Sequence, residues 1–143
     1  MKVLSVMGWL VMAAGVLGLF YDGSLLSPSP IVIVLQVGAV ALMVWARVTF
    51  GLRSFHASAN TTEGGLVTTG PYRYVRNPIY AGVVLFAFAG AGAHLSFVAA
   101  LLAVTVLAGA LLRVFTEERF LRVSYPEYAE YAARTRRLVP FVF

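Results

Sequence analysis

The sequence predicts an all-α fold: an integral membrane bundle of about four transmembrane helices, with a helical hairpin and a C-terminal amphipathic helix. Two observations lead to this prediction. First, 60% of the 143 residues are hydrophobic and only 12% are charged, with a mean hydropathy of +0.85, whereas a soluble domain carries charge at about a quarter of its positions. Second, the apolar residues lie in runs of about twenty, the length that crosses a bilayer as a helix.

The composition also excludes several classes of function. The chain contains no cysteine, which rules out disulfides, thiolate metal sites and a cysteine nucleophile. The two histidines, His56 and His94, lie far apart in the sequence, so no metal site is predicted. In so apolar a chain, the net charge of +5 indicates topology signals and contacts with membrane lipids rather than nucleic acid. The length allows a single domain, residues 1–143.

Two transmembrane helices are predicted within residues 1–52. The first apolar run, Val3–Tyr21, is not followed by the small-residue cleavage pattern of a signal peptide, so we expect a retained helix. A short turn rich in Ser and Pro comes next. Pro30 suits the start of the second helix because its missing N–H needs no partner there. The second run extends from Ile31 to about Leu52.

Residues 53–78 form the longest polar stretch, and we expect a loop on the cytoplasmic side. The apolar segment 79–114 that follows is too long for one crossing. Glycines, His94 and Ser96 interrupt it. It therefore predicts a helical hairpin with arms at about 79–91 and 95–114.

Residues 115–143 form a polar tail. Within it, a short amphipathic helix is predicted from Pro126 to about Arg136, because acidic residues precede basic ones as the helix dipole favours. Arginines are concentrated in segment 47–78 and in the tail, and none occurs in the turns 22–30 and 90–96. Since cytoplasmic loops carry an excess of Lys and Arg, both termini and the long loop are predicted to face the cytoplasm.

The first candidate for chemistry is the tripeptide Arg76-Asn77-Pro78 before the third helix. Pro78 disfavours helix at Asn77 and can begin a helix itself. The free N–H groups of the first turn would then point back toward Arg76, and together with its guanidinium they suit a carboxylate or a phosphate. A membrane-edge loop with an arginine anchor explains the same residues without a ligand.

The second candidate is the pair Glu117-Glu118 after the hairpin. Adjacent residues point about 100° apart on a helix, so one glutamate would face the bundle and bind a ligand ammonium or ribose hydroxyls. The alternative is a solvated pair that balances nearby arginines. A stripe of Tyr125, Tyr128 and Tyr131 predicts interfacial packing or, alternatively, aromatic faces for a sulfonium or ammonium ligand.

Together these segments resemble a known superfamily. The run LVTTGPYRYVRNPIYAG, residues 66–82, is similar to the signature loop of the isoprenylcysteine carboxyl methyltransferases and phospholipid methyltransferases, approximately L-V-T-x-G-x-Y-x-x-x-R-H-P-x-Y-x-G. The hairpin, the Glu-Glu pair, the tyrosine segment and a final Leu-Val-Pro follow in the family's order, so the resemblance covers residues 66–140. Two positions depart from the pattern: Asn77 replaces the usual His, and Ser124-Tyr125 stands where Phe-Gly is common.

The resemblance implies S-adenosylmethionine-dependent methyl transfer at the cytoplasmic membrane face. It implies that Arg76 and Glu118 are catalytic. The residues it implies for cofactor binding are Gly70, Tyr72, Arg76, Asn77, Pro78, Tyr80, Glu117 and Glu118. Asn77 can still hydrogen-bond but cannot shuttle a proton. The acceptor stays open between a prenylated cysteine carboxylate, a lipid amine and another lipophilic small molecule, and the oligomeric state stays open too.

Two other classes of function are weighed against the enzyme. A four-helix transporter usually needs a charged residue within a span, and none lies in the middle of a predicted helix. A non-catalytic membrane subunit is the other alternative, and Asn77 is compatible with it. Arg47 and Arg113, near helix ends, are candidates to orient an acidic acceptor, although membrane-interface anchors explain them as well.

Overall fold

The computed structural model describes residues 2–51 and 65–143, and this part of the chain is helical, without strands. The all-α prediction is confirmed. In chain order the helices are α1 (Lys2–Tyr21), α2 (Pro30–Phe50), α3 (Pro78–His94), α4 (Phe97–Ser124) and α5 (Tyr128–Arg134), with a 3-10 turn at Gly70–Arg73 before α3. The predicted positions Leu52 and His56, and residues 53–64 of the predicted loop, lie outside the described residues.

Three of the helices, α1, α2 and α4, are long and apolar enough to cross a membrane. The fourth apolar helix, α3, has 17 residues and a length of about 26 Å at 1.5 Å per residue, slightly less than the roughly 30 Å of bilayer hydrocarbon. Large apolar side chains such as Val3, Trp9 and Val34 are exposed on the outside of the bundle, where lipid would cover them. The predicted membrane bundle is therefore confirmed as three long helices and one shorter helix.

Helix α4 extends further than predicted. The second hairpin arm was expected to end at Val114 and the polar tail to begin at residue 115, but α4 continues to Ser124. A helix must be apolar only within the hydrocarbon, and Glu, Arg and Leu continue it well in water. Because about twenty residues cross the hydrocarbon, Glu117 and Glu118 lie close to the point where α4 leaves it.

The hairpin turn is also tighter than predicted, since α3 runs to His94 rather than ending at about Ala91. Gly90 and Gly92 do not interrupt it. Leu95 adopts a left-handed conformation, with φ of 48°, and the Ser96 side chain caps α4 by accepting a hydrogen bond from the Ala99 N–H at 3.4 Å. The tail helix α5 is shorter than the predicted span from Pro126 to about Arg136.

The bundle is held together by close packing of small residues. Helix α1 packs along α4, α2 packs along α3, and α3 contacts α4. At Gly109 a β-carbon would lie 2.4 Å from the backbone nitrogen of Met12, so only glycine allows α1 and α4 to approach so closely. Gly8 lies beside Arg113 and Gly15 beside Val106. Helices α1 and α4 are therefore antiparallel, and the start of α1 lies near the polar end of α4.

A short backbone pairing joins the loop before α3 to the tail. Val75 and Arg136 form an isolated parallel bridge. The Arg76 N–H donates to the Arg136 carbonyl at 2.7 Å, and the Asn77 N–H donates to the Arg137 carbonyl at 3.1 Å. This pairing places segments about sixty residues apart beside each other, at the same end of the bundle as Glu117 and Glu118.

Candidate active site

The loop that leads into the site is shaped by Gly70. This residue has φ of +57°, and a β-carbon there would lie 2.6 Å from the Thr49 hydroxyl oxygen of α2. Both the backbone conformation and the lack of space therefore require glycine. Pro71 and Tyr72 follow in the 3-10 turn and are buried. Pro78 then begins α3 and is also buried, as the sequence predicts.

Glu118 is the centre of a buried ionic cluster. Its Oε1 atom accepts hydrogen bonds from Arg76 Nε at 2.9 Å and from Asn77 Nδ2 at 3.3 Å, and its Oε2 atom accepts one from Arg137 Nε at 3.1 Å. Only 3% of Glu118 is exposed. A buried carboxylate is tolerated when opposite charges and hydrogen bonds compensate for its lost hydration, and both oxygens of Glu118 are compensated in this way.

Arg76, in the loop before α3, contacts the tail as well as α4. Its Nη1 atom donates to the carbonyl oxygens of Ala132 and Thr135. Its side chain is only 7% exposed. The guanidinium that the sequence assigns to an anionic ligand is thus engaged by Glu118 and by carbonyls at the end of α5.

Glu117 belongs to a second network on the neighbouring face of α4. Its Oε1 atom pairs with Arg113 and accepts a hydrogen bond from the Tyr80 hydroxyl at 2.8 Å. Arg113 Nε donates to the same Tyr80 oxygen at 2.8 Å, and its Nη1 donates to the Ser5 hydroxyl of α1 at 2.7 Å. Arg113 is 5% exposed, so the expectation that it is a membrane-interface anchor is wrong. It is fixed between three helices instead.

An aromatic cleft adjoins the Glu118 cluster on one side. The cleft encloses about 80 Å³. Its walls are formed by four tyrosines, Arg76, Phe50, Gly65, Leu66, Val67 and Leu121. The tyrosines are Tyr72, Tyr125, Tyr128 and Tyr131.

Two of these tyrosines differ in how their hydroxyls are used. The Tyr131 hydroxyl donates to the Tyr72 carbonyl at 2.7 Å. The Tyr128 hydroxyl is buried without a hydrogen-bond partner among the described residues. Burial and, to a smaller extent, the negative charge of Glu118 raise the pKa of Tyr128 to about 12, against the opposing effect of Arg76 and Arg122. A buried hydroxyl that is neutral and unpartnered is a group that a ligand would satisfy.

An apolar groove of about 530 Å³ adjoins the cluster on another side. One face of α3, from Ala81 to Phe88, and Leu107 and Leu111 of α4 form its walls, with residues of segment 138–143 at one end. Leu111 and Glu118 are seven residues apart, or about two turns, so they lie on the same face of α4. The groove therefore leads along α4 toward the Glu118 cluster.

The structure brings five of the predicted site residues together in the two networks: Arg76, Asn77, Tyr80, Glu117 and Glu118. Tyr72 lines the aromatic cleft, whereas Gly70 and Pro78 determine the backbone that carries the others. Sequence reasoning missed Arg137 as a member of the site, and Tyr128 was seen only as part of a stripe. The position of Arg137 directly before the apolar Leu-Val-Pro run is the one signal in the sequence that would have drawn attention to it.

The chain is similar in sequence to known proteins. The family model of the phospholipid methyltransferases matches residues 30–128, from α2 to the first turn of α5. The cobalt-zinc-cadmium resistance protein CzcN of Cupriavidus metallidurans is 37% identical over 123 residues, which cover 84% of this chain and 53% of that protein. The chain thus spans about half the length of this curated relative. No solved structure matches the chain significantly.

Proposed function

Because the chain belongs to the phospholipid methyltransferase family, we propose that it is a membrane enzyme that transfers a methyl group from S-adenosylmethionine to a lipophilic acceptor. The family supports a membrane methyltransferase. The methyl donor, the kind of acceptor and the side of the membrane are parts of the proposal.

One observation carries this proposal: an aromatic cleft and an apolar groove both border one buried ionic cluster. Arg76 lines the aromatic cleft, and the residues directly after Arg137 line the apolar groove. Glu118 binds both arginines. Methyl transfer from an activated donor mainly requires that donor and acceptor meet in the correct alignment, away from water. An aromatic cleft and an apolar groove that border the same cluster supply that arrangement.

The groups around the aromatic cleft fit S-adenosylmethionine in chemistry. This cofactor supplies an activated methyl group on a sulfonium, and it also carries a carboxylate, an ammonium and ribose hydroxyls. The tyrosine rings favour a cation, and the unpartnered Tyr128 hydroxyl can bind a polar atom. The enclosed volume of about 80 Å³ is below the roughly 300–1,000 Å³ of typical ligand sites. Side chains that line the cleft must therefore move when the cofactor binds.

Calorimetric titration of the detergent-purified protein with S-adenosylhomocysteine tests the cofactor site. We expect binding, and we expect Tyr128→Phe to weaken it about five-fold, the effect of losing one hydrogen bond of about 1 kcal/mol. Tyr74→Phe is the matched control, since Tyr74 is 53% exposed. Equal affinities for the wild type and Tyr128→Phe, with unchanged circular dichroism, would refute the location. No binding at millimolar ligand would favour a non-catalytic membrane subunit.

Incubation with labelled S-adenosylmethionine and a whole lipid extract tests the acceptor. We expect label in a molecule that partitions into the organic phase. Transfer only to water-soluble compounds would contradict a lipophilic acceptor, because the apolar groove would then have no substrate to hold.

The proposed orientation places both termini and the site in the cytoplasm, following the distribution of arginines. Since the chain has no cysteine, single cysteines report the sidedness without background. In intact cells, a membrane-impermeant maleimide should label Ala93→Cys, in the last turn of α3, and leave Glu130→Cys, in α5, unlabelled until the cells are opened. The reverse pattern would place the site on the outer side.

A further inference from the structure

The apolar groove ends beside a charged cluster whose sign is positive. Three guanidiniums, those of Arg76, Arg113 and Arg137, meet two carboxylates, those of Glu117 and Glu118. The two networks together therefore carry a net charge of +1. Both carboxylates are already held by arginines, so neither is available to bind a cationic head group or to take a proton from an ammonium.

The three arginines differ in how many of their donors are used. Arg76 donates to Glu118 and to two carbonyls and is 7% exposed. Arg113 donates to Ser5 and Tyr80, pairs with Glu117 and is 6% exposed. Arg137 donates through Nε to Glu118. Among the described residues its two terminal nitrogens make no hydrogen bond, and its side chain is 32% exposed. Arg137 is therefore the arginine through which the net positive charge of the two networks is accessible to a ligand.

Arg137 lies at the end of the groove. Its guanidinium carbon is 5.4 Å from the centre of the Phe143 ring, and Phe143 is one of the groove residues. On another side, the same guanidinium carbon is 5.2 Å from the centre of the Phe115 ring of α4. The two rings and the contact with Glu118 hold the guanidinium in place while its terminal nitrogens keep their donors. A planar guanidinium with free donors is the group that binds a carboxylate best.

From this juxtaposition we infer that Arg137 is a specificity-determining residue, which binds the carboxylate head group of an acceptor whose apolar chain occupies the groove. The inference deepens the proposed function and rests on it. It selects a carboxylate acceptor over a lipid amine, whereas the sequence alone leaves both acceptors open.

Methyl transfer to a carboxylate also agrees with the lack of an available base. A carboxylate oxygen forms the new bond to the methyl carbon with its own electron pair. The bond between the methyl carbon and the donor sulfur breaks, and its electron pair stays on the sulfur, which becomes a neutral thioether. No proton moves, and the product is a methyl ester. An ammonium acceptor would first have to lose a proton beside a cluster of positive charge, whose two carboxylates, those of Glu117 and Glu118, are both paired with arginines.

Binding of three amphiphiles with the same chain tests the inference without catalysis. The fluorescent fatty acid parinarate reports occupancy of the groove in detergent-purified protein, and palmitate, hexadecylamine and hexadecyl phosphate compete with it. We expect palmitate to displace it best, and we expect Arg137→Gln to weaken parinarate binding at least about ten-fold, as for loss of a charge-assisted hydrogen bond. Arg137→Lys should give an intermediate loss. Arg134→Gln is the control, since Arg134 is paired and exposed on the same tail.

Other outcomes would overturn the inference. Stronger displacement by hexadecylamine would show that the head-group site is not selective for anions. Equal displacement by hexadecyl phosphate would assign Arg137 to lipid phosphates. Parinarate binding that survives both Arg137→Gln and the groove-filling variant Leu107→Trp would show that the probe binds elsewhere.

The chemistry of the product separates this inference from the proposed function. A methyl ester releases labelled methanol in base, whereas a methylated amine does not. Labelled lipid that is stable to base would refute the carboxylate acceptor and leave the methyltransferase intact. Carboxylate binding without any binding of S-adenosylhomocysteine would refute the enzyme and leave Arg137 as an anion-binding residue.

Discussion

Replacing Glu118 by Ala tests whether the buried cluster holds the polar end of the bundle together. The carboxylate is 3% exposed and accepts hydrogen bonds from Arg76, Asn77 and Arg137. Removing one partner of a buried ion pair costs about 3–5 kcal/mol. We expect the lower end, about 3 kcal/mol, because Arg76 keeps its bonds to two carbonyls and Arg137 can turn its charge toward water.

The measurement is unfolding of the detergent-solubilised protein by added dodecyl sulfate, followed by circular dichroism. Glu130→Ala is the matched control, because the ion pair of Glu130 with Arg134 is exposed and pairs of that kind contribute less than about 1 kcal/mol. In the double variant Arg76→Ala/Glu118→Ala the losses should be smaller than the sum of the single losses, since both remove the same contact. If Glu118→Ala unfolds at the same midpoint as Glu130→Ala, the cluster does not stabilise the fold and our reasoning is wrong.

Three further predictions use the same unfolding assay. Tyr80→Phe should lower the free energy of unfolding by about 1–3 kcal/mol, since it removes the buried hydroxyl that binds both Glu117 and Arg113; no loss would mean that water replaces the hydroxyl. Gly70→Ala should cost about 1 kcal/mol more than Gly23→Ala, because both positions have positive φ but only Gly70 lacks space for a β-carbon; equal losses would contradict the close contact. Burial raises the pKa of Tyr72 and of Tyr128 from 10.0 to about 12, so stability should be independent of these groups below pH 10 and should fall between pH 10 and 12, where the unfolded chain loses its protons first. The slope should be about 1.4 kcal/mol per pH unit for each tyrosine, and a fall of the same size in Tyr128→Phe would show that Tyr128 does not contribute.

Most of the membrane bundle could be predicted because its signals are local. A run of about twenty apolar residues identifies α1 and α2, and Pro30 and Pro78 mark helix starts because proline fits the first helical position. The end of α4 could not be found in this way. The apolar signal stops where the helix leaves the membrane, whereas the backbone hydrogen bonds continue to Ser124.

The composition of the site could be predicted only in part. The loop and the glutamate pair were identified because their residues are contiguous. The role of Arg137 depends on pairing between segments about sixty residues apart, and no periodicity in the sequence reports such a contact. The burial of Arg113 was missed for a related reason: its partner Ser5 lies 108 positions away, on a different helix.

The backbone pairing between the loop before α3 and the tail has a consequence for biosynthesis. Helices α1 to α4 can enter the bilayer as they leave the ribosome, but Arg76 and Asn77 find their carbonyl partners only after residues 132–137 have been made. The end of the bundle that carries the Glu118 cluster is thus the last part of the described molecule to assemble. A chain that stops before Thr135 would insert and span the membrane normally and still lack the complete Glu118 cluster.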